Sequence, residues 1–291
     1  MDTSQYEAPR SVAETVALLS GANGAARILA GGTDLLAQMR TGSTAPELLV
    51  DVKKIPELGG IEELPEGGFR VGAAVCGAEL GEHEALKKSW PGVVEAAELI
   101  GSAQIQGRAS LGKNLCNASP AADSVPALIA AQAVCTIAGP NGLRTVPVEQ
   151  VVTGPGRTSL ESGEFVVDFR LPGRPAHSGD AYLRMIPRSE MDIAIVGAAV
   201  SLSLDEAGSC TAARVALAAV ADTPLLVEAA ASALIGTRLE QASLEAAAHA
   251  ASELARPIDD KRGSAAYRRK LAAVLTRRAA RIAVERARSR T

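Results

Sequence analysis

The sequence predicts an α+β chain built in successive units, and three observations carry that reading. Short apolar runs of strand length, such as 27–30 and 48–52, alternate with segments whose apolar residues recur at helical spacing. Two turns rich in small residues and hydroxyls, 31–33 and 109–123, interrupt the chain between such runs. The last third is dominated by long helical stretches. With 291 residues the chain can bury a substantial core, and with 47% hydrophobic but only 2% aromatic residues that core must be built from Ala, Val, Leu and Ile.

Val12, Val16 and Leu19 fall at helical spacing and predict a helix over 11–20, with Ser11 as its N-cap and Gly21 as its stop. A strand over 27–30, a turn and a helix from Leu35 come next. The near-continuous apolar run 48–52 suits a buried parallel strand, which completes a small βαβ unit. Residues 60–64 and 69–72 read as a hairpin joined through Pro65-Glu66-Gly67-Gly68. Helices over 79–88 and 92–100, broken at Ser89-Trp90-Pro91-Gly92, precede a helix from about Asp123 and a strand over 133–138. Pro140-Asn141-Gly142 turns that strand back along 143–146, and 165–171 is a further strand. Pro172-Gly173-Arg174-Pro175 marks a boundary, giving expected units of 1–55, 56–175 and 176–291. In the last unit, strands are expected at 182–186 and 213–220, and helices at 224–235, 243–254 and 264–286. The run 193–204 is apolar and rich in small residues. The final helix carries Arg268, Arg269, Lys270, Arg277, Arg278 and Arg281 around Leu271, Val274, Leu275 and Ile282. It reads as a solvated amphipathic face or a subunit contact, with a nucleic-acid or membrane helix as the alternative.

The stretch Ile28-Leu29-Ala30-Gly31-Gly32-Thr33-Asp34-Leu35 has the parts of a phosphate cradle: strand end, glycine turn, hydroxyl and helix start. Glycines there can bring bare backbone N–H groups against an anion, and an ordinary strand-to-helix turn capped by Asp34 is the alternative. The second small-residue stretch includes Ser110-Leu111-Gly112-Lys113-Asn114 and Ala118-Ser119-Pro120-Ala121-Ala122-Asp123. Two such turns with buried flanks suit a ligand with an extended phosphate bridge, such as a dinucleotide.

Other chemistries find little support. The net charge of −3 gives no reason to expect nucleic acid or an anionic membrane, and no apolar run is long enough to span a bilayer. A polar start, residues 1–10, argues against a secretory signal, so a cytoplasmic location is expected. Cys76, Cys116, Cys135 and Cys210 lack metal-ligand spacing and read as free, mostly buried thiols; His83, His177 and His249 are isolated. No metal site is expected. There is also no nucleophile–histidine–carboxylate pattern and no Gly-x-x-x-x-Gly-Lys-Ser/Thr loop.

The paired turns, with Val50-Asp51-Val52-Lys53-Lys54-Ile55-Pro56, Val71-Gly72-Ala73, Gly163-Glu164-Phe165, Arg188 with Asp192-Ile193-Ala194, and Lys261-Arg262-Gly263-Ser264-Ala265-Ala266-Tyr267-Arg268, resemble the FAD-binding medium subunits of the molybdenum hydroxylases. The resemblance spans nearly the whole chain. It implies a two-lobed PCMH-type FAD-binding domain and a smaller α/β C-terminal domain closing over the flavin. By the same resemblance, Ile28 to Leu35 hold the pyrophosphate and ribityl side of a non-covalent FAD, and Ser110, Leu111, Gly112, Lys113 and Asn114 supply a second set of donors. Asp123 fixes the ribityl or phosphate end, Val166 gives an apolar backbone contact, Arg184 is a basic neighbour, and Ile193 packs near the ring system. Two positions depart from the family: Lys113 stands where a second glycine is usual, and Ile100 where some relatives stack an aromatic on adenine.

The implied role is electron transfer from a separate small [2Fe–2S] subunit, through FAD, to an external acceptor. A large subunit with a molybdenum cofactor would hydroxylate the organic substrate, in a dimer of heterotrimers. No catalytic residue is expected in this chain. A stand-alone flavin oxidase and a non-redox scaffold subunit that has lost its flavin are the rival readings.

Overall fold

In the computed structural model, which describes residues 4–290, the chain forms three main sheets. Residues 1–3, part of the polar start on which the leader argument rests, lie outside the described residues. The first sheet is parallel, in the order β1 (Gln5–Glu7), β3 (Leu48–Asp51), β2 (Ala26–Leu29), with α1 (Val12–Gly21) and α2 (Leu35–Arg40) in the crossovers. β3 is the central strand, which explains its continuous apolar run: Val50 is fully buried. Ser11 caps α1 as expected, its Oγ accepting from the Glu14 N–H at 3.2 Å. Asp34 occupies the corresponding position before α2, but its side chain makes no capping bond.

The second sheet is antiparallel, in the order β4 (Ile61–Glu63), β5 (Phe69–Gly72), β10 (Phe165–Leu171), β6 (Val134–Gly139), β7 (Gly142–Pro147). Between β5 and β6 run α3 (Gly77–Glu82), α4 (Glu84–Ser89), α5 (Pro91–Glu98), α6 (Ala103–Gln106), α7 (Leu111–Cys116) and α8 (Ser124–Ala130). The expected helix over 79–88 is two helices. His83 ends one and caps the next, its Nδ1 accepting from the Leu86 N–H at 3.1 Å. A small hairpin of β8 (Val152–Gly154) and β9 (Arg157–Thr158) precedes β10. β10 contains a bulge between Val166 and Asp168. Phe165 and Val167 pack with the first sheet's core, whereas Val166 and Phe169 belong to the core under the helices.

The third sheet is also antiparallel, in the order β11 (Ser178–Met185), β12 (Val196–Leu204), β13 (Cys210–Ala218), β14 (Leu225–Leu226). α9 (Glu228–Leu234), α10 (Gln241–Leu254) and α11 (Ala265–Ser289) cover one face. Ala198, Val200, Val215 and Leu217 point toward those helices, and Tyr182, Ala199 and Ala216 toward α5 and α8. Burial on both faces is why 193–204 lacked the alternation that marks a strand. Alanines at 247, 251, 272, 279, 280 and 283 are fully buried and let α10 and α11 pack closely. The basic reading of α11 needs one correction. Arg268 is not on a solvated face: it is 4% exposed and donates to the carbonyl of Ala219 at 3.2 Å and to Asp260 at 2.7 Å.

Candidate functional site

Between the first and second sheets lies a cavity of about 500 Å³, within the usual range for small-molecule and cofactor sites. Ile28, Ala30, Leu35 and Gln38 line one side, and Gly112, Lys113, Cys116, Asn117 and Val166 the other. Six of the expected binding residues therefore meet in one place: Ile28, Ala30, Leu35, Gly112, Lys113 and Val166.

The two small-residue stretches touch through their backbones. A Cβ on Gly31 would overlap the carbonyl of Arg108, and Arg108 Nε donates to the Gly31 carbonyl at 3.5 Å. Gly32 has φ +78° and is buried against Leu29 and Leu36. In this turn the N–H groups of Gly31, Gly32, Thr33 and Asp34 donate to no backbone carbonyl among the described residues. A run of free amides beside a cavity is the donor set an anionic group requires.

The second stretch differs from its expected form. Residues 111–116 are helical, and Ser110 is their N-cap, its Oγ accepting from the Lys113 N–H at 3.4 Å. The Gly112 N–H donates to Ala73 at 3.1 Å and the Asn114 N–H to Ser110 at 3.0 Å. These backbone donors are engaged within the protein, so this side of the cavity offers chiefly side chains. Asn114 turns away: its Oδ1 accepts from the Ser124 N–H at 3.2 Å and the Ser124 hydroxyl at 2.7 Å, holding the start of α8. Leu111 is 1% exposed and belongs to the helical core.

Asp123, Arg184 and Ile193 lie outside this cavity. Asp123 accepts from Tyr182 at 2.8 Å and from Arg184 at 2.6 Å, joining α8 to β11. Burial pushes the Asp123 carboxyl above its ordinary pKa, opposed by the Arg184 guanidinium and the Tyr182 hydroxyl. The Arg184 Nε is buried without a partner among the described residues. Ile193 is 51% exposed, on a loop whose Met191 N–H donates to Gly101 at 3.1 Å, beside half-buried Ile100.

Sequence reasoning gave no role to Lys53, Gln38 or Asn117. Lys53 Nζ donates to the Ala30 carbonyl at 3.0 Å, fixing the entry to the glycine turn, and pairs with Asp51 at 2.8 Å. Asp51 in turn accepts from Tyr6 at 2.6 Å. Asn117 Oδ1 accepts from Gln38 across the cavity at 3.4 Å and from Lys113 at 3.3 Å. The only signal for these residues was that each sits within a stretch already singled out for its glycines or its resemblance.

A glycine turn with free amides, in backbone contact with a second lobe beside a cavity, suits a protein that binds a phosphate-bridged cofactor. The comparisons make that class specific. Residues 2–174 match the FAD binding domain in molybdopterin dehydrogenase, and residues 181–283 the CO dehydrogenase flavoprotein C-terminal domain. The carbon monoxide dehydrogenase medium chain of Hydrogenophaga pseudoflava is 36% identical over 94% of this chain and 95% of that one. A putative xanthine dehydrogenase FAD-binding subunit of Escherichia coli is 32% identical over 95% of this chain and 94% of that one. A chain of reconstituted CO dehydrogenase from Oligotropha carboxidovorans superimposes with a TM-score of 0.93 at 35% identity, covering 98% of both chains. The chain belongs to the molybdenum hydroxylase family as an FAD-binding medium subunit, and is therefore a component of an oxidoreductase. The residues present fit FAD on structural grounds: free amides in the glycine turn, no room for a Cβ at Gly31, and a cation opposite.

Proposed function

We propose that this chain is the electron-transfer subunit of a molybdenum hydroxylase complex. The observation that carries the reading is the row of free amides at Gly31–Asp34, a turn whose flanking residues Ala30 and Leu35 line the same cavity as Gly112, Lys113 and Val166. When bound, FAD supplies exchange between one-electron and two-electron transfer, as a relay from a small [2Fe–2S] subunit to an external acceptor requires. The chain's own residues bind and orient it. The turn 31–34 offers amides, Ile28, Ala30, Leu35 and Val166 offer apolar walls, and Lys53 fixes the Ala30 carbonyl. Asp123 and Arg184, paired where the third sheet meets α8, and Ile193, on the loop after β11, are further cofactor contacts in this reading, outside the cavity. No side chain here attacks or deprotonates an organic substrate; that chemistry belongs to a large subunit with a molybdenum cofactor.

In this reading, units 1–55 and 56–175 are the two lobes that grip the cofactor, and 176–291 closes over the flavin. The complex is a dimer of heterotrimers located in the cytoplasm. The medium-chain and FAD-subunit names of the relatives support a multi-subunit complex. Among the described residues no helix is long and apolar enough to cross a membrane.

The test is to purify the chain with whatever accompanies it, record its absorption spectrum, and resolve the components by mass. Flavin bands released by acid, with iron–sulfur and molybdenum subunits present, are expected. A yellow chain that alone turns over a small substrate would favour an oxidase instead. A colourless chain that does not reconstitute with FAD would refute both.

A further inference from the structure

We propose that Lys113 is the charge-matching residue for the cofactor's diphosphate, so that the chain recognises the ADP half of FAD as a separable, salt-sensitive unit. The inference rests on the FAD reading and deepens it. Two cationic side chains line the cavity, Arg27 and Lys113. Arg27 spends its guanidinium on the carbonyls of Gly24 and Ala26, at 2.9 and 2.8 Å. The nearby Lys53 ammonium is neutralised by Asp51 at 2.8 Å. Arg27, like Lys113, has no carboxylate partner among the described residues, but Lys113 is the less engaged of the two. Its ammonium pairs with no carboxylate among the described residues and makes one hydrogen bond, to Asn117 Oδ1 at 3.3 Å.

An ammonium has three donors, so Lys113 retains two. Its backbone N–H is tied to Ser110, and so it contributes to the cavity through charge alone. The same Asn117 oxygen accepts from Gln38 at 3.4 Å, and Gln38 stands on α2, the helix that follows the free-amide turn. Asn117 thus ties the ammonium to α2, the helix that begins directly after Gly31–Asp34. Four free amides and an ammonium that no carboxylate neutralises match an anionic diphosphate. The riboflavin half carries no charge that would use them.

The test is equilibrium titration of flavin-stripped full-length protein with FAD, ADP, adenosine and riboflavin, over a range of KCl concentrations. The variants are Lys113→Gln, Lys113→Arg and Gln38→Ala, each checked for an unchanged melting temperature. Removal of a charge-assisted contact is expected to weaken FAD and ADP about tenfold or more and to flatten their salt dependence. Adenosine and riboflavin should be unaffected, Lys113→Arg should retain most of the affinity, and Gln38→Ala should show a smaller loss. If K113Q binds FAD and ADP as tightly as wild type, with the same salt dependence, the proposal is overturned while the FAD assignment stands. If wild type binds ADP through Lys113 but not FAD, the FAD reading falls and the proposal, which rests on it, falls too. If wild type binds neither, both fall.

Discussion

Gly31→Ala is the most direct test of the claim that the two small-residue stretches form one site by backbone contact. A methyl at position 31 would overlap the oxygen and carbon of the Arg108 carbonyl. Both partners are backbone, so no side chain can rotate away; the turn and the 108–112 segment must separate. Overpacking of this kind costs about 1–3 kcal/mol, and for a domain of some 150–250 residues each kcal/mol lowers the melting temperature by roughly 2–4 °C. A fall of about 2–12 °C is therefore expected, together with loss of FAD, because the free amides sit on the displaced turn. Gly21→Ala is the control. Nothing lies within 4 Å of its added methyl, and the residue ends α1, so it should be neutral or stabilise by up to ~1 kcal/mol. Thermal melts with and without FAD, and flavin content per chain, measure both variants. A G31A protein with wild-type melting temperature and full flavin would refute the backbone-contact argument.

Asp51 gives a pH prediction. Burial alone would raise its pKa, but hydrogen bonds from Lys53 and Tyr6 hold it below the ordinary 3.8. A depressed folded value means its contribution is complete above 3.8 and is lost as pH falls through the folded value, where the neutral acid no longer pairs with Lys53. Melts between pH 6 and 2 should show Asp51→Asn less stable at pH 6 and converging on wild type in acid; parallel curves would contradict this. Burial pushes the thiols of Cys116, Cys135 and Cys210 up to about 11, 12 and 11, so at pH 8 half-buried Cys76 should be alkylated first, as mass spectrometry of labelled peptides can read. Earlier labelling of Cys135 would mean that the core opens readily. In hydrogen exchange, FAD should slow amides in 26–40 more than those in 91–98 or 178–185; uniform protection would argue against an opening at the first sheet.

Local chemistry was legible wherever one residue decides it. Ser11 caps α1, Gly60 and Gly72 bracket the first hairpin, and the β2–α2–β3 unit lies where the apolar runs placed it. The misses have physical causes. His83 divides a helix without glycine or proline, by accepting a backbone N–H through its ring, and no composition rule anticipates that. β12 is apolar on both faces because helices cover one and α8 the other. The second turn is a capped helix because Ser110 accepts from Lys113, so a stretch that looked like a donor loop satisfies most of its own amides. The site itself depends on Gly31 meeting Arg108, which lies 77 residues away, and spacing along the chain carries no such contact.

The distribution of polar contacts indicates which side of the cavity can open. The third sheet is fastened to the helices of the second unit by the buried pair of Arg184 with Asp123 at 2.6 Å and the half-buried pair of Arg286 with Glu95, while Arg174 pairs with Asp180 at the start of β11. Arg174 also lies 4.2 Å over the Trp90 ring, and Asp180 accepts the Gly92 N–H at 2.9 Å. Breaking a buried pair costs about 3–5 kcal/mol, so parting this interface would lose the Arg184–Asp123 pair together with the Gly92–Asp180 bond. Across the cavity, by contrast, the polar links between the first sheet's turn and the second unit are long, 3.4 Å from Gln38 to Asn117 and 3.5 Å from Arg108 to Gly31. Apolar packing of Phe165 and Val167 keeps the first sheet seated without fixing its tilt by hydrogen bonds. The first sheet's side, which carries the free amides, is therefore the side held by the longer polar links.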